Sequence, residues 1–249
     1  MEERIHKILA HAGIASRRAC EQLILDGCVT VNGTVITDVS TKANPYISAI
    51  KVNGKLITMN SEQEESHQYF LLYKPRGVLT TMTPDEEKGR PTILDLLNTK
   101  MRTYHVYPVG RLDFNSEGLL LLTNDGELAY RLTHPKFKVQ KTYEVKVHGI
   151  PPKKIIDILA NGVYLEEGRT APAKVKLAKI TGKNAWLLMT ISEGKKRQIR
   201  RMCEKVRYPV SKLRRIKIGP LKITGLTPGM TRALTAHELA LLKQAVQLA

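Results

Sequence analysis

Apolar residues recur with two different periods along this chain, and the switches between them mark its elements. Ile5, Ile8, Leu9 and Ala12 fall at three- and four-residue spacing, which predicts a helix over 4–12 that Gly13 ends. Ser16 is placed to cap a second helix running through Leu25, with Ala19, Cys20 and Leu23 facing inward and Gly27 as its stop. The period then drops to two. Val29-Thr30-Val31 and Val35 flank Asn32-Gly33, and Ile50 to Ile57 alternate around Asn53-Gly54. Asn-Gly inside an alternating run predicts a hairpin, here twice. Asn60 to Ser66 is polar and acidic without any period and reads as a linker. This divides the chain into a small αα-β domain at 1–60, a linker at 61–67 and a larger domain at 68–249.

The larger domain opens with an apolar strand, Tyr69 to Tyr73. Lys74-Pro75-Arg76-Gly77 ends it and is expected to project two cations there. Thr92 and Asp95 bracket a short helix, Ile93 to Asn98. Gly118-Leu119-Leu120-Leu121-Leu122-Thr123 is an unbroken apolar run between two polar segments, which suits a strand buried on both faces. Asn124 with Glu127 forms a capping box for a helix through Arg131. Lys141 to Val147 alternates, with Tyr143, Val145 and Val147 on one face. Pro152 to Ala160 reads as a helix stopped by Asn161-Gly162. Strands follow near 163–165, 173–177 and 186–191, then a helix with Ile199, Met202, Cys203 and Val206 inside. Thr235 and Glu238 open a last helix, Ala236 to Leu248. Strands and helices in this mixed order predict an α+β fold.

Charge changes the picture from fold to partner. A formal net charge of +17 points first to a polyanionic partner such as nucleic acid or a membrane surface, and otherwise to solubility alone. Between Lys183 and Lys217 twelve Lys or Arg stand against only Glu193 and Glu204. Cations spread around one helix repel each other unless a polyanion neutralises them. No apolar run approaches the roughly 20 residues that cross a bilayer, and the N-terminus has no secretion-signal pattern, so a cytoplasmic protein is expected. Cys20, Cys28 and Cys203 are widely spaced, with no Cys-x-x-Cys and no His cluster. Glycine-rich phosphate loops and dinucleotide fingerprints are also missing. No metal and no cofactor are expected, and the chemistry falls to side chains.

Asp113 is the first candidate. It is a loop carboxylate beside the leucine strand with Arg111 two residues before it, the setting of an anchored nucleophile or base. A turn former bonding its own backbone fits the same residues. Tyr143 is either core or a stacking platform at a pocket mouth. Arg17 and Arg18 occupy the unfavourable first turn of their helix, which suggests a use outside it or simply a solvated face.

Arg4-x-x-Lys7-x-Leu9-Ala10-x-x-Gly13-x-x-Ser16-Arg17-Arg18, followed by Val29-x-Val31-Asn32-Gly33, resembles the S4-type RNA-binding domain. The later stretches KPRG, GRLDFNSEGLLLLTNDGEL, KTYEV and EGKKRQIRRM, in that order, resemble bacterial ribosomal RNA pseudouridine synthases of the RsuA/RluB type over essentially the whole chain. One departure is Ser116, where the family commonly has Thr; a hydroxyl remains. The resemblance implies an S4-like domain followed by a mixed, mainly antiparallel sheet with flanking helices. It also implies that Asp113 attacks, or deprotonates at, the ribose of a flipped uridine. Tyr143 would stack on the base and Arg200 would pair with Asp113, chosen over Arg197 because it matches the family's Q-I-R segment. Arg111 would fill the hole left in the RNA stack. Arg17, Arg18, Lys74, Arg76, Lys195, Lys196, Arg197 and Arg201 would hold phosphates. The expected substrate is ribosomal RNA or a subunit assembly intermediate, large-subunit rather than small-subunit, acted on by a monomer. A non-catalytic S4-type RNA-binding or ribosome-assembly protein is the alternative, and a metal-dependent nuclease a weaker one.

Overall fold

In the computed structural model, residues 2–57 and 67–248 are described. The expected linker falls outside them except for His67. The chain divides into two compact units, Met1–Ser66 and His67–Ala249.

In the first unit, helices Ile5–His11 and Arg17–Leu25 pack on a four-stranded sheet built from two hairpins. Ser16 caps the second helix, its side chain accepting from the Ala19 N–H. Asn32 and Asn53 take φ of 51° and 49°, and each is followed by a glycine with positive φ. These tight turns need backbone that L side chains rarely adopt. The hairpins pair with each other through Val29–Val31 and Ile50–Val52. Ile5, Ile8, Leu9, Ile24 and Ile50 are almost fully buried between the layers.

The second unit is organised on a nine-stranded mixed sheet. Its strands run in the order Lys174–Thr181, Asn184–Ile191, Lys141–His148, Val210–Ile218, Glu117–Thr123, Tyr69–Lys74 and Thr231–Ala233, with Leu221–Lys222 and Tyr107–Pro108 attached. Every pairing is antiparallel except that of Val210–Ile218 with Glu117–Thr123. Leu119 to Leu122 are fully buried. Leu119 and Leu121 enter one core with helices Gly126–Thr133 and Ala236–Ala245, while Leu120 and Leu122 enter a second on the other face. A third core lies under the other half of the sheet, where Val145, Val147, Leu187 and Met189 meet helices Lys153–Asn161 and Gln198–Lys205.

Several sequence expectations shift. Ala19 is exposed, Cys20 and Ile24 being the buried residues of its helix, and the last helix ends at Ala245. Asp125, not Asn124, caps the helix that follows the leucine strand, accepting from the Leu128 N–H at 2.9 Å. Asn124 is occupied elsewhere: its Oδ1 accepts from the Gln68 N–H and its amide donates to the Tyr104 carbonyl. The capping arrangement of Thr92 and Asp95 opens only a single 3-10 turn, Ile93–Leu96.

Candidate active site

The loop ahead of the leucine strand is held by its backbone from several directions. The Thr80 hydroxyl donates to the Leu112 carbonyl at 2.7 Å and accepts from the Leu112 N–H. The Gly77 N–H donates to the Phe114 carbonyl at 2.8 Å. The Lys74 ammonium donates to the Ser116 carbonyl and Arg200 Nη2 to the Asn115 carbonyl, both at 2.9 Å. Within the loop the Ser116 N–H donates to the Asp113 carbonyl, so the turn former and the anchored carboxylate are one structure. The Asp113 side chain is left one-third exposed. Gly118 then brings the leucine strand against its parallel neighbour. A Cβ there would stand 2.2 Å from the Arg215 carbonyl oxygen.

The carboxylate faces two guanidinium groups, Arg197 Nη1 and Arg200 Nε, each 3.8 Å from Asp113 Oδ2. At that distance the charges interact without a short hydrogen bond, and the carboxylate oxygens stay available. A partly buried network orders the chain that leads into both arginines. Glu193 accepts from the Ala171 N–H and from the Gln198 amide, and Gln198 Oε1 accepts from the Lys195 N–H. Gln198 is buried, so this network sets the course of residues 193–198. Arg197 sits in left-handed conformation at φ 51°, where the chain turns into helix Gln198–Lys205. Arg200 is more buried than Arg197, and its Nη2 also reaches the Ser116 hydroxyl at 3.3 Å. Burial and the neighbouring Arg197 draw the Arg200 pKa down, opposed by Asp113.

A cavity of about 700 Å³ opens at Asp113 and Arg197, and Arg200 stands outside its lining. Asp113, Tyr143, Arg111, Lys195, Lys196 and Arg197 all line it. Tyr143 reaches it from a strand whose alternation turns Tyr143, Val145 and Val147 to the same side. This volume suits a nucleotide.

Other expected contacts are placed differently. Lys74 does not project from its strand end. It is fully buried, donating to the Pro75 and Ser116 carbonyls, with burial lowering its pKa to about 8, so it braces the Asp113 loop and meets no phosphate. Arg201 lies outside the cavity lining, with both Glu167 oxygens 2.8 Å from its Nη1. Its charge is answered within the protein. Arg76 is exposed and also outside the lining, and Arg17 and Arg18 are exposed on the first unit.

Arg215 and Lys141 are site residues that the sequence alone does not single out. Both line the cavity. Arg215 is buried, its Nε donating to the Leu119 carbonyl at 2.7 Å while Nη2 has no hydrogen-bond partner among the described residues. Lys141 has its pKa lowered to about 8 by burial and by Arg215. The signal that could find them is parity. Lys141 shares the inward face of Tyr143, and Arg215 stands directly opposite Tyr143 on the next strand. Among the described residues no group of three or more His, Cys, Asp or Glu could hold a metal ion.

The pattern of this sequence matches the model of RNA pseudouridylate synthases over residues 68–205 and that of S4 domains over residues 3–45. The chain belongs to the RNA pseudouridylate synthase family. Family members of known name include ribosomal large subunit pseudouridine synthase B of Bacillus subtilis, 47% identical over 97% of this chain and 96% of that protein. The protein of that name from Salmonella typhimurium is 38% identical over 100% of this chain and 84% of its own length. A solved pseudouridylate synthase superposes with a TM-score of 0.68 at 29% identity, covering 96% of this chain and 99% of that one. Membership settles the choice between enzyme and passive binder. The chain is a pseudouridine synthase carrying an S4 RNA-binding domain.

Proposed function

We propose that this enzyme converts one uridine of large-subunit ribosomal RNA to pseudouridine, with Asp113 as the catalytic carboxylate. The observation that carries the assignment is that Asp113 and Tyr143, from distant segments, line one basic cavity, with Arg200 3.8 Å from Asp113 behind its wall. The isomerisation breaks the bond from ribose C1′ to uracil N1 and forms one from C1′ to C5. The C5 proton is lost and N1 gains one, so the reaction is balanced without oxidant, reductant or co-substrate.

A base stacked in RNA hides its glycosidic bond, so the target nucleotide must be flipped out. In this reading Arg111 occupies the gap it leaves, and Tyr143 stacks on the extruded base. Arg200 keeps a positive charge beside Asp113 and positions its loop while Asp113 acts at the ribose. Arg197, Lys195 and Lys196 hold flanking phosphates at the cavity, Arg76 beyond it, and Arg17 and Arg18 on the S4 domain. The large-subunit target follows the two named relatives. The enzyme works as a cytoplasmic monomer on ribosomal RNA or an assembly intermediate. No helix among the described residues is long and apolar enough to cross a membrane.

The test is carbodiimide mapping of pseudouridine in ribosomal RNA from cells lacking the protein, complemented with wild type or Asp113→Asn. A single large-subunit site is expected to vanish and to return only with wild type. A missing small-subunit site would refute the target, and restoration by Asp113→Asn would refute the catalytic assignment.

A further inference from the structure

The strand register draws a second basic surface on the side of the sheet away from the cavity. Tyr143, Val145, Leu187, Met189, Leu213 and Arg215 face the inner core and the site. Residues of opposite parity face outward in cross-strand rows. One row runs Lys212, Lys146, Trp186 and Lys179 across four neighbouring strands. The next runs Arg214, Glu144, Leu188 and Lys176. Both helices packed beside this half of the sheet, Lys153–Asn161 and Gln198–Lys205, bury their apolar residues in the inner core, so they lie on the other face.

The electrostatics of this face are unfavourable as it stands. Lys146 and Lys212 are directly opposed, and like charges in that relation destabilise a strand pair. None of Lys146, Lys176, Lys179 and Lys212 forms an ion pair among the described residues. Glu144, the acid in these rows, is taken by Arg214. Trp186 is half-buried between two cations, with Lys146 Nζ 5.9 Å and Lys179 Nζ 5.6 Å from its ring. Strand spacing puts Lys212 and Lys179 roughly 14 Å apart, enough to follow a stretch of phosphates. The cavity admits a nucleotide, whereas the substrate RNA extends far beyond one.

We propose that this outer face binds the phosphate backbone of a second segment of the same substrate RNA, remote from the target uridine. The inference rests on the reading of the enzyme as an RNA uridine isomerase. The cavity and its arginines select and hold the nucleotide that reacts, while the lysine rows anchor RNA on the opposite side of the sheet. Only long substrates reach both.

Trp186 is the chain's single tryptophan, so its fluorescence reports this face directly. The experiment compares a long ribosomal RNA transcript containing the mapped uridine with a short hairpin cut around that uridine. The proteins are wild type and a full-length variant with Lys146, Lys176, Lys179 and Lys212 changed to Gln. A control variant changes the exposed Lys88, Lys100, Lys138 and Lys154 to Gln instead. The long transcript is expected to change Trp186 emission in wild type, and the hairpin to leave it unchanged. The outer-face variant should bind the long transcript about tenfold or more weakly. Its salt dependence should fall by roughly 0.7–0.9 in log–log slope for each phosphate it no longer neutralises. Its turnover of the hairpin should match wild type, which also shows that it folds. Unchanged affinity for the transcript would overturn the proposal, as would equal losses on hairpin and transcript or equal losses in the control. Loss of binding to anionic phospholipid vesicles with RNA affinity intact would reassign the face to a membrane.

Discussion

Arg200 reaches the Asp113 loop twice over: Nε lies 3.8 Å from the carboxylate, while Nη2 donates to the Asn115 carbonyl two residues further on. One guanidinium therefore sets both the charge beside the carboxylate and the position of its backbone. Arg197 offers the same 3.8 Å to the carboxylate from a half-exposed side chain, and among the described residues it makes no hydrogen bond to the loop. Arg200→Ala should lower kcat by about 10²–10³-fold, as the loss of a preorganised group at a charged centre does. Arg197→Ala should act mainly on KM. Single-turnover kinetics with saturating enzyme would separate the two, and a larger kcat loss in the Arg197 variant would reverse the assignment.

Tyr143 is buried, with its ring at the cavity. Tyr143→Phe keeps the ring and removes the hydroxyl, whereas Tyr143→Ala removes both. If stacking is its function, Phe should turn over near the wild-type rate and Ala should lose activity. A Phe variant as inactive as Ala would assign the work to the hydroxyl. Unfolding midpoints measured alongside would expose any loss of packing in Ala, which is expected from a side chain in this core.

Local chemistry makes much of this legible. The Asn-Gly hairpins, the Ser16 cap and the leucine strand are written in neighbouring residues, and so is the inward parity of Tyr143. Strand Val210–Ile218 is not. Its outward Lys212 and Arg214 and its inward Arg215 give it charges on both faces, so alternation is masked, although it is the strand that joins the two halves of the sheet. Lys74 departs from its expected place for a related reason. Its burial is decided by the Ser116 carbonyl, 42 residues away, which no local pattern announces. At Asn124 the helix start slips by one residue because both Asn124 and Asp125 are competent caps, and contacts to Gln68 and Tyr104 occupy the first.

The Ser116 hydroxyl is buried and accepts from Arg200 Nη2. Ser116→Ala deletes the acceptor, a loss of about 1 kcal/mol for a typical hydrogen bond. If that free energy is expressed in the orientation of Arg200, kcat should fall by about fivefold. Ser116→Thr retains the hydroxyl and should keep most of the activity. A Thr variant as impaired as Ala would show that side-chain volume, not the hydrogen bond, governs this position.

Gly118 has φ 115° and sits opposite Arg215, with no room for a Cβ against that residue's backbone. Gly118→Ala should therefore force the two parallel strands apart and destabilise the second unit by about 3 kcal/mol or more. Denaturant unfolding would measure it. A variant of unchanged stability would mean that the strands separate freely at this point and that the Asp113 loop is not braced by them.

Lys141 gives the cavity a pH dependence whose sign is fixed. Burial and Arg215 lower its pKa from 10.5 to about 8. Below pH 8 folded and unfolded chains both carry the proton, and the cost of the buried cation is fully present. Between pH 8 and 10.5 the unfolded chain binds more protons, so this residue's contribution to stability rises with pH across that window. Lys141→Met should stabilise the protein most below pH 8 and lose that advantage as pH approaches 10.5, Lys74 being common to both proteins and cancelling. RNA phosphates brought near the cavity favour the charged ammonium, so substrate binding near pH ~8.5 should take up protons. Calorimetry in two buffers of different ionisation enthalpy would measure that uptake. An uptake undiminished in Lys141→Met would place the titrating group elsewhere.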